Sequence, residues 1–124
     1  MPSETRVRRL AVRIRNVLAE LLHRHVAGPR LSMITITDVE GDREMACATV
    51  HVAASGASDR KDEIMLALEG ARGFLRSELA RRIPLRAFPQ VRFRWDESLD
   101  RGARVEELLR RWHAEGGEEK GVER

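Results

Sequence analysis

Between residues 4 and 26 the apolar side chains recur every three or four positions, and between 34 and 52 they alternate with polar ones. That change of period, from helix-like to strand-like, constrains the fold more than any other feature of the chain. The first stretch carries Val7, Leu10, Ala11, Ile14, Val17, Leu18, Leu21 and Leu22, with Ser3 placed to cap it and Gly28-Pro29 placed to stop it. The second reads as a hairpin. Ile34-Thr35-Ile36-Thr37 alternates and Val39 breaks parity, which predicts a bulge or a strand end. An acidic turn then leads into a strand with Ala46, Ala48, Val50 and Val52 on one face.

The same two periods return further on. A second helix is predicted from near Asp59 towards Ile83, with Ile64, Ala67, Leu68, Ala71, Phe74, Leu75 and Leu79 as its apolar stripe. Continued at ideal phase the stripe would bury Arg82, so a shift is expected at Ala71-Arg72-Gly73, where the glycine permits a kink. Val91, Phe93 and Trp95 then alternate with Arg92 and Arg94, and Pro89 near the start argues for an edge strand or a bulge. A last helix over about 100–113 would face Val105, Leu108, Leu109 and Trp112 inward. Helix, hairpin, helix, strand and helix make an α+β two-layer sandwich, a three-stranded sheet with helices on one face.

At 124 residues the chain is one domain, over about 1–113, followed by an acidic tail over 114–124 that is expected to be disordered. The single cysteine, Cys47, excludes an internal disulfide. Neither a membrane-length apolar run nor a signal-peptide core occurs, which points to a cytoplasmic protein. Catalytic and metal chemistry find little support. Cys47 lies between two alanines, and His23, His25, His51 and His113 have no partners at zinc-site spacing. Asp38, Glu40, Asp42 and Glu44 hint at calcium, but the loop glycine is misplaced and no glutamate closes the loop. No enzyme activity, cofactor or metal is expected.

Charge placement is more informative. The chain holds 21 Arg against 2 Lys, a ratio that a G+C-rich genome would produce by itself. Its layout is another matter. Residues 1–30 carry seven arginines against two acids, and 71–95 carry seven against Glu78 alone. The blocks 31–70 and 96–124 are acidic, with three bases against eight acids and six against nine. A net of +3 therefore conceals two basic segments and two acidic ones. In the first helix Arg6, Arg13 and Arg24 share one flank of the apolar stripe, with Arg9 further round. Arg72, Arg76, Arg81 and Arg82 cluster near the expected break, where free N–H groups would meet a phosphate, and Arg86, Arg92 and Arg94 extend the sign. Arginine forks suit phosphate, so the expected function is nucleic-acid binding. Exposed aromatics are scarce, which favours the backbone and shape of a folded RNA over single-strand reading.

Particular residues carry a family likeness. Arg9-Leu10-(x)3-Ile14, then Val39, Asp42 and Ala48-(x)-Val50-(x)-Val52, are followed by Ala71-Arg72-Gly73-Phe74-Leu75-Arg76 and by Leu85-Arg86-(x)2-Pro89-(x)-Val91-(x)-Phe93-(x)2-Asp96-(x)-Ser98. In this order they resemble ribosome-binding factor A over about residues 6–112. The resemblance implies a type II KH-like fold whose Gly-x-x-Gly loop is replaced by an Ala-x-Gly kink in the second helix, matched here by Ala71, Arg72 and Gly73. It further implies a non-enzymatic factor, monomeric when free. Such a factor binds the small ribosomal subunit and its 16S rRNA near the neck and the 5′-end helix, and assists late maturation, especially in the cold. Gly41-Asp42 stands where the family usually has Ser-Pro-Asp, and His51 where an aromatic is common.

The expected RNA-contacting residues are Arg72, Gly73, Arg76, Arg81, Arg82 and Arg86, with Ala71 in the kink. Arg6, Arg9 and Arg13 would act as steering charges, and Arg92 and Arg94 would extend the surface. Other readings are a generic KH-type RNA binder, a protein-interaction domain using the acidic hairpin and tail, and a small enzyme with a pocket at His51, Asp38 or Cys47.

Overall fold

The computed structural model describes residues 3–24, 28–54 and 60–114. Along the chain run α1 (Glu4–His23), a short 3-10 turn (Pro29–Met33), β1 (Thr35–Gly41), β2 (Cys47–Ala53), α2 (Lys61–Arg82), β3 (Gln90–Trp95) and α3 (Ser98–Ala114). The strands form one mixed sheet in the order β1-β2-β3, with β1 antiparallel and β3 parallel to the central β2. The α+β sandwich and three-stranded sheet stand as expected. The tail from 115, His25 and Asp59, the expected start of the second helix, lie outside the described residues.

Helix α1 begins where Ser3 Oγ accepts the Arg6 N–H at 3.1 Å, satisfying one of the amides that the first turn leaves unpaired. It buries Ala11, Ile14, Leu18, Leu21 and Leu22. Helix α2 buries Ile64, Leu68, Leu75 and Leu79, and the sheet supplies Val39, Ala48, Val50, Val52, Val91 and Phe93 from the face beneath both helices. Each fully buried aliphatic side chain contributes about 1.5–3 kcal/mol relative to exposure, so this layer holds the fold together.

Several details depart from expectation. Phe74 is 45% exposed, because one residue before Leu75 is about 100° round the helix from the buried stripe. Arg82 is exposed rather than buried. The helix ends there, and Ile83, in extended backbone at φ −120°, takes the next core position. The helix is continuous through Ala71, Arg72 and Gly73, so no break offers unpaired amides. Ala46 is exposed, and Met45 is buried instead. Leu108, Leu109 and Trp112 are 54%, 50% and 41% exposed, because α1 and α2 already cover the inner face of the sheet. The side chain of Val105 lies outside the described set.

The parity break before Val39 is a bulge between Ile36 and Asp38. It frees Thr37 to donate its hydroxyl to Asp96 Oδ2 at 2.6 Å. Asp96 Oδ1 in turn accepts from the Ser98 amide at 2.9 Å and hydroxyl at 2.6 Å, and the Asp96 amide donates to the Val52 carbonyl. One aspartate thus ties β1 and β2 to the start of α3. These hydrogen bonds, that from the Ser98 hydroxyl foremost, lower its pKa to about 2.

Candidate nucleic-acid interface

The hairpin turn shapes the neighbourhood of the basic residues. Asp42 Oδ1 accepts the amides of Ala46 and Cys47 at 2.7 and 3.3 Å, closing the turn. Met45 adopts a left-handed φ of 56°, and its thioether lies where a Cβ on Gly41 would have to go, against Val7. Glycine at 41 is therefore what lets Met45 fold inward. Two of the four acidic side chains of the hairpin are engaged: Asp42 by the backbone, and Glu40 by His51 Nε2 at 2.6 Å. Among the described residues no three His, Cys, Asp or Glu side chains cluster as metal ligands would.

Behind this turn lies a groove of about 650 Å³ between α1 and the segment 83–87. Val7, Leu10, Met45, Ile83, Pro84 and Leu85 give it an aliphatic floor, and Arg6, Arg9, Arg13 and Arg86 form its rim, with Glu44 the one carboxylate among the lining residues. The arginines reach this position because Arg6, Arg9 and Arg13 follow the flank of the α1 stripe. The guanidinium groups of Arg6, Arg9 and Arg86 have no ion-pair partner among the described residues. Arg13 makes only a long contact, 3.5 Å, to the Arg82 carbonyl, which brings the end of α2 to the end of the groove.

The arginines of α2 are differently disposed. Arg72 pairs with Glu69 at 3.1 Å, and Arg81 and Arg82 share Glu78 at 3.0 and 2.5 Å. The hydrogen bond from Arg82 is the largest of the effects that hold the Glu78 carboxyl below its usual range. Arg76 is half-buried and donates to the carbonyls of Phe88 and Pro89 at 2.7 and 2.9 Å, its guanidinium 5.9 Å from the Phe88 ring centre. It is a bracket holding the 86–89 segment onto α2, not a side chain presented to solvent. Gly73 faces open space, with nothing within 4 Å of the point that a Cβ would occupy. Ala71 is partly buried against the core.

Arg92 and Arg94 do not join this surface. They alternate onto the sheet face opposite the helices, beside Thr49 and His51 of β2. The expected basic surface is therefore two patches. One gathers Arg6, Arg9, Arg13 and Arg86 with the nearby end of α2, and the other lies across the sheet. The groove was missed in the sequence because its floor combines residues from three separate elements, and only the flank position of the α1 arginines hinted at it.

Comparison with known proteins addresses the family and the fold. Residues 6–109 match the family described as ribosome-binding factor A. A ribosome-binding factor A of Chromohalobacter salexigens is 41% identical over 106 residues, covering 84% of this chain and 81% of that protein. The crystal structure of ribosome-binding factor A from Thermus thermophilus superposes with a TM-score of 0.60 at 27% identity, covering 69% of this chain and 91% of that one. A solution structure of a Thermotoga maritima protein described as a putative ribosome binding factor A gives 0.65 at 27% identity, over 79% and 93%. A Thermus thermophilus homology model fitted into a map of a 30S complex with that factor gives 0.60 at 25% identity, over 73% and 96%. With the family match spanning most of the chain and the sandwich shared, the chain belongs to the ribosome-binding factor A family.

Proposed function

We propose that this chain is a non-enzymatic assembly factor that binds the small ribosomal subunit through its 16S rRNA near the neck and the 5′-end helix. It assists late rRNA processing and maturation, acts in the cytoplasm with a role in cold adaptation, and is a monomer when free. The observation that carries the reading is the rim of guanidinium groups at Arg6, Arg9 and Arg86, without ion-pair partners among the described residues and joined by Arg13, around one groove. Buried charges would need partners within the protein; exposed forks without carboxylates are suited to phosphate oxygens. That a Thermus thermophilus relative has been fitted into a 30S complex supports the small subunit as the partner. Among the described residues no helix is long and apolar enough to cross a membrane.

Within the expected site, Arg6, Arg9, Arg13 and Arg86 make the principal phosphate contacts. Arg81 and Arg82 extend them at the end of α2, and Arg72 with Gly73 lies further along that helix. Arg76 acts by holding the Arg86 segment in place. The protein-interaction alternative is weakened by the engagement of Asp42 and Glu40 within the hairpin. Co-sedimentation of the full chain with purified small subunits and with translating ribosomes, at two salt concentrations, tests the reading. Binding to free small subunits alone, weakening as salt rises, is expected. Equal recovery with translating ribosomes, or no salt dependence, would contradict it.

A further inference from the structure

Phosphate recognition alone would be served by a flat basic surface, yet the four arginines surround a concavity. Its volume of about 650 Å³ falls in the range of about 300–1,000 Å³ typical of small-ligand sites. Its floor is aliphatic, and Leu85, 40% exposed, presents apolar surface to solvent at the groove. Resting on the RNA-binding reading above, we propose that this groove captures a single unpaired nucleotide of a folded RNA. The base lies on the aliphatic floor between guanidinium planes, and its phosphates meet Arg6, Arg9, Arg13 or Arg86.

Three observations favour that occupant. Four guanidinium groups face one carboxylate, Glu44, so the occupant is anionic. Arginine serves both parts of a nucleotide, contacting phosphate through its fork and stacking on a base through its plane. The floor residues Leu10, Pro84 and Leu85 bring neither donor nor acceptor in their side chains, so the groove accepts any base without reading its edge. Drawing a base from a helix costs a few kcal/mol and least where it is already unpaired, so a bulged or linker nucleotide is the natural occupant. An acidic, leucine-bearing peptide would satisfy the same charge and apolarity and serves as the contrary outcome.

The test compares three RNA hairpins of equal phosphate number with the full chain at fixed salt. One is fully paired, one carries a single-nucleotide bulge, and one carries an abasic residue at the bulge. The bulged RNA is expected to bind about tenfold more tightly than either of the others. A 2-aminopurine at the bulge should report a changed environment on binding. Leu85→Ser should shrink the bulge preference, whereas Leu108→Ser, on α3, should leave it. Circular dichroism establishes that both variants are folded. Equal affinity for the three RNAs overturns the groove as a nucleotide site while leaving subunit binding through charge intact. Displacement of bulged RNA by an acidic leucine-rich peptide, with no bulge preference, assigns the groove to a protein and likewise overturns the proposal. Loss of co-sedimentation with small subunits would instead overturn the functional reading on which it rests.

Discussion

The two basic segments of this chain carry equal numbers of arginines, seven each, and among the described residues each mixes paired with unpaired ones; the sharper contrast is between the groove and the outer face of α2. Around the groove, Arg6, Arg9 and Arg86 are exposed and have no carboxylate partner among the described residues. Along α2, Arg72, Arg81 and Arg82 are each matched by a glutamate three or four residues earlier, and Arg76 is consumed by backbone carbonyls. The lesson is that charge count in sequence does not measure charge available to a ligand. A guanidinium that already holds a carboxylate must give it up, or share it, before it can release counterions from a nucleic acid.

The sharpest break in that comparison is Arg76→Ala. If Arg76 is a bracket, its loss lowers unfolding free energy by about 2–3 kcal/mol, since two charge-assisted hydrogen bonds disappear together. Urea unfolding reads the loss, and the salt slope of RNA binding at matched folded fraction should hardly change. A stable Arg76→Ala with a slope lower by about one would make it a phosphate contact instead. Glu78→Gln works in the opposite direction. It releases Arg81 and Arg82 from their shared partner, so RNA binding should tighten severalfold and the slope should steepen by up to about one. Unchanged binding would mean that the end of α2 lies outside the interface.

Asp96 extends the distinction from cations to an anion held by the protein. Its folded pKa, about 2, lies below its ordinary value of 3.8, so the stability it confers is fully present above that ordinary value. It is lost as pH falls through the folded value. Acid unfolding of Asp96→Asn should therefore lack the part of the wild-type pH dependence between about 4 and 2, with RNA binding at neutral pH unaffected in folded protein. The smallest effect is expected at Gly73. With open space around it, Gly73→Ala should stabilise the free protein by up to about 1 kcal/mol through helix propensity. Weaker subunit binding by the stabilised variant would show that the partner approaches this stretch of helix closely.

The sandwich, the bulge before Val39 and the edge position of β3 were legible in the sequence, because apolar period and a proline report local backbone directly. The flank of α1 that carries Arg6 and Arg13, with Arg9 further round, was legible for the same reason. Arg24, read onto the same flank, instead pairs with Glu20 and does not line the groove. What period cannot report is which long side chain meets which partner. Arg76 reaches carbonyls twelve and thirteen residues away, and nothing in its spacing distinguishes it from Arg72. Arg92 and Arg94 alternate correctly, yet only the placement of the helices on the other sheet face separates them from the groove. The exposed stripe of α3 was misread because amphipathicity shows that a face is apolar, not that the domain has surface left to cover it. Asp96-(x)-Ser98 stood out as part of the family likeness, and the structure gives it an architectural role at the joint of β1, β2 and α3.

The central claim is that the groove side, not the outer arginines of α2, carries the binding. It is tested most directly by salt titration of small-subunit binding with two triple variants, Arg6→Ala/Arg9→Ala/Arg13→Ala and Arg72→Ala/Arg81→Ala/Arg82→Ala. The account predicts that the first lowers the slope of log affinity against log salt by about 3 and the second by less than about 1. Equal losses, or the reverse order, would contradict it.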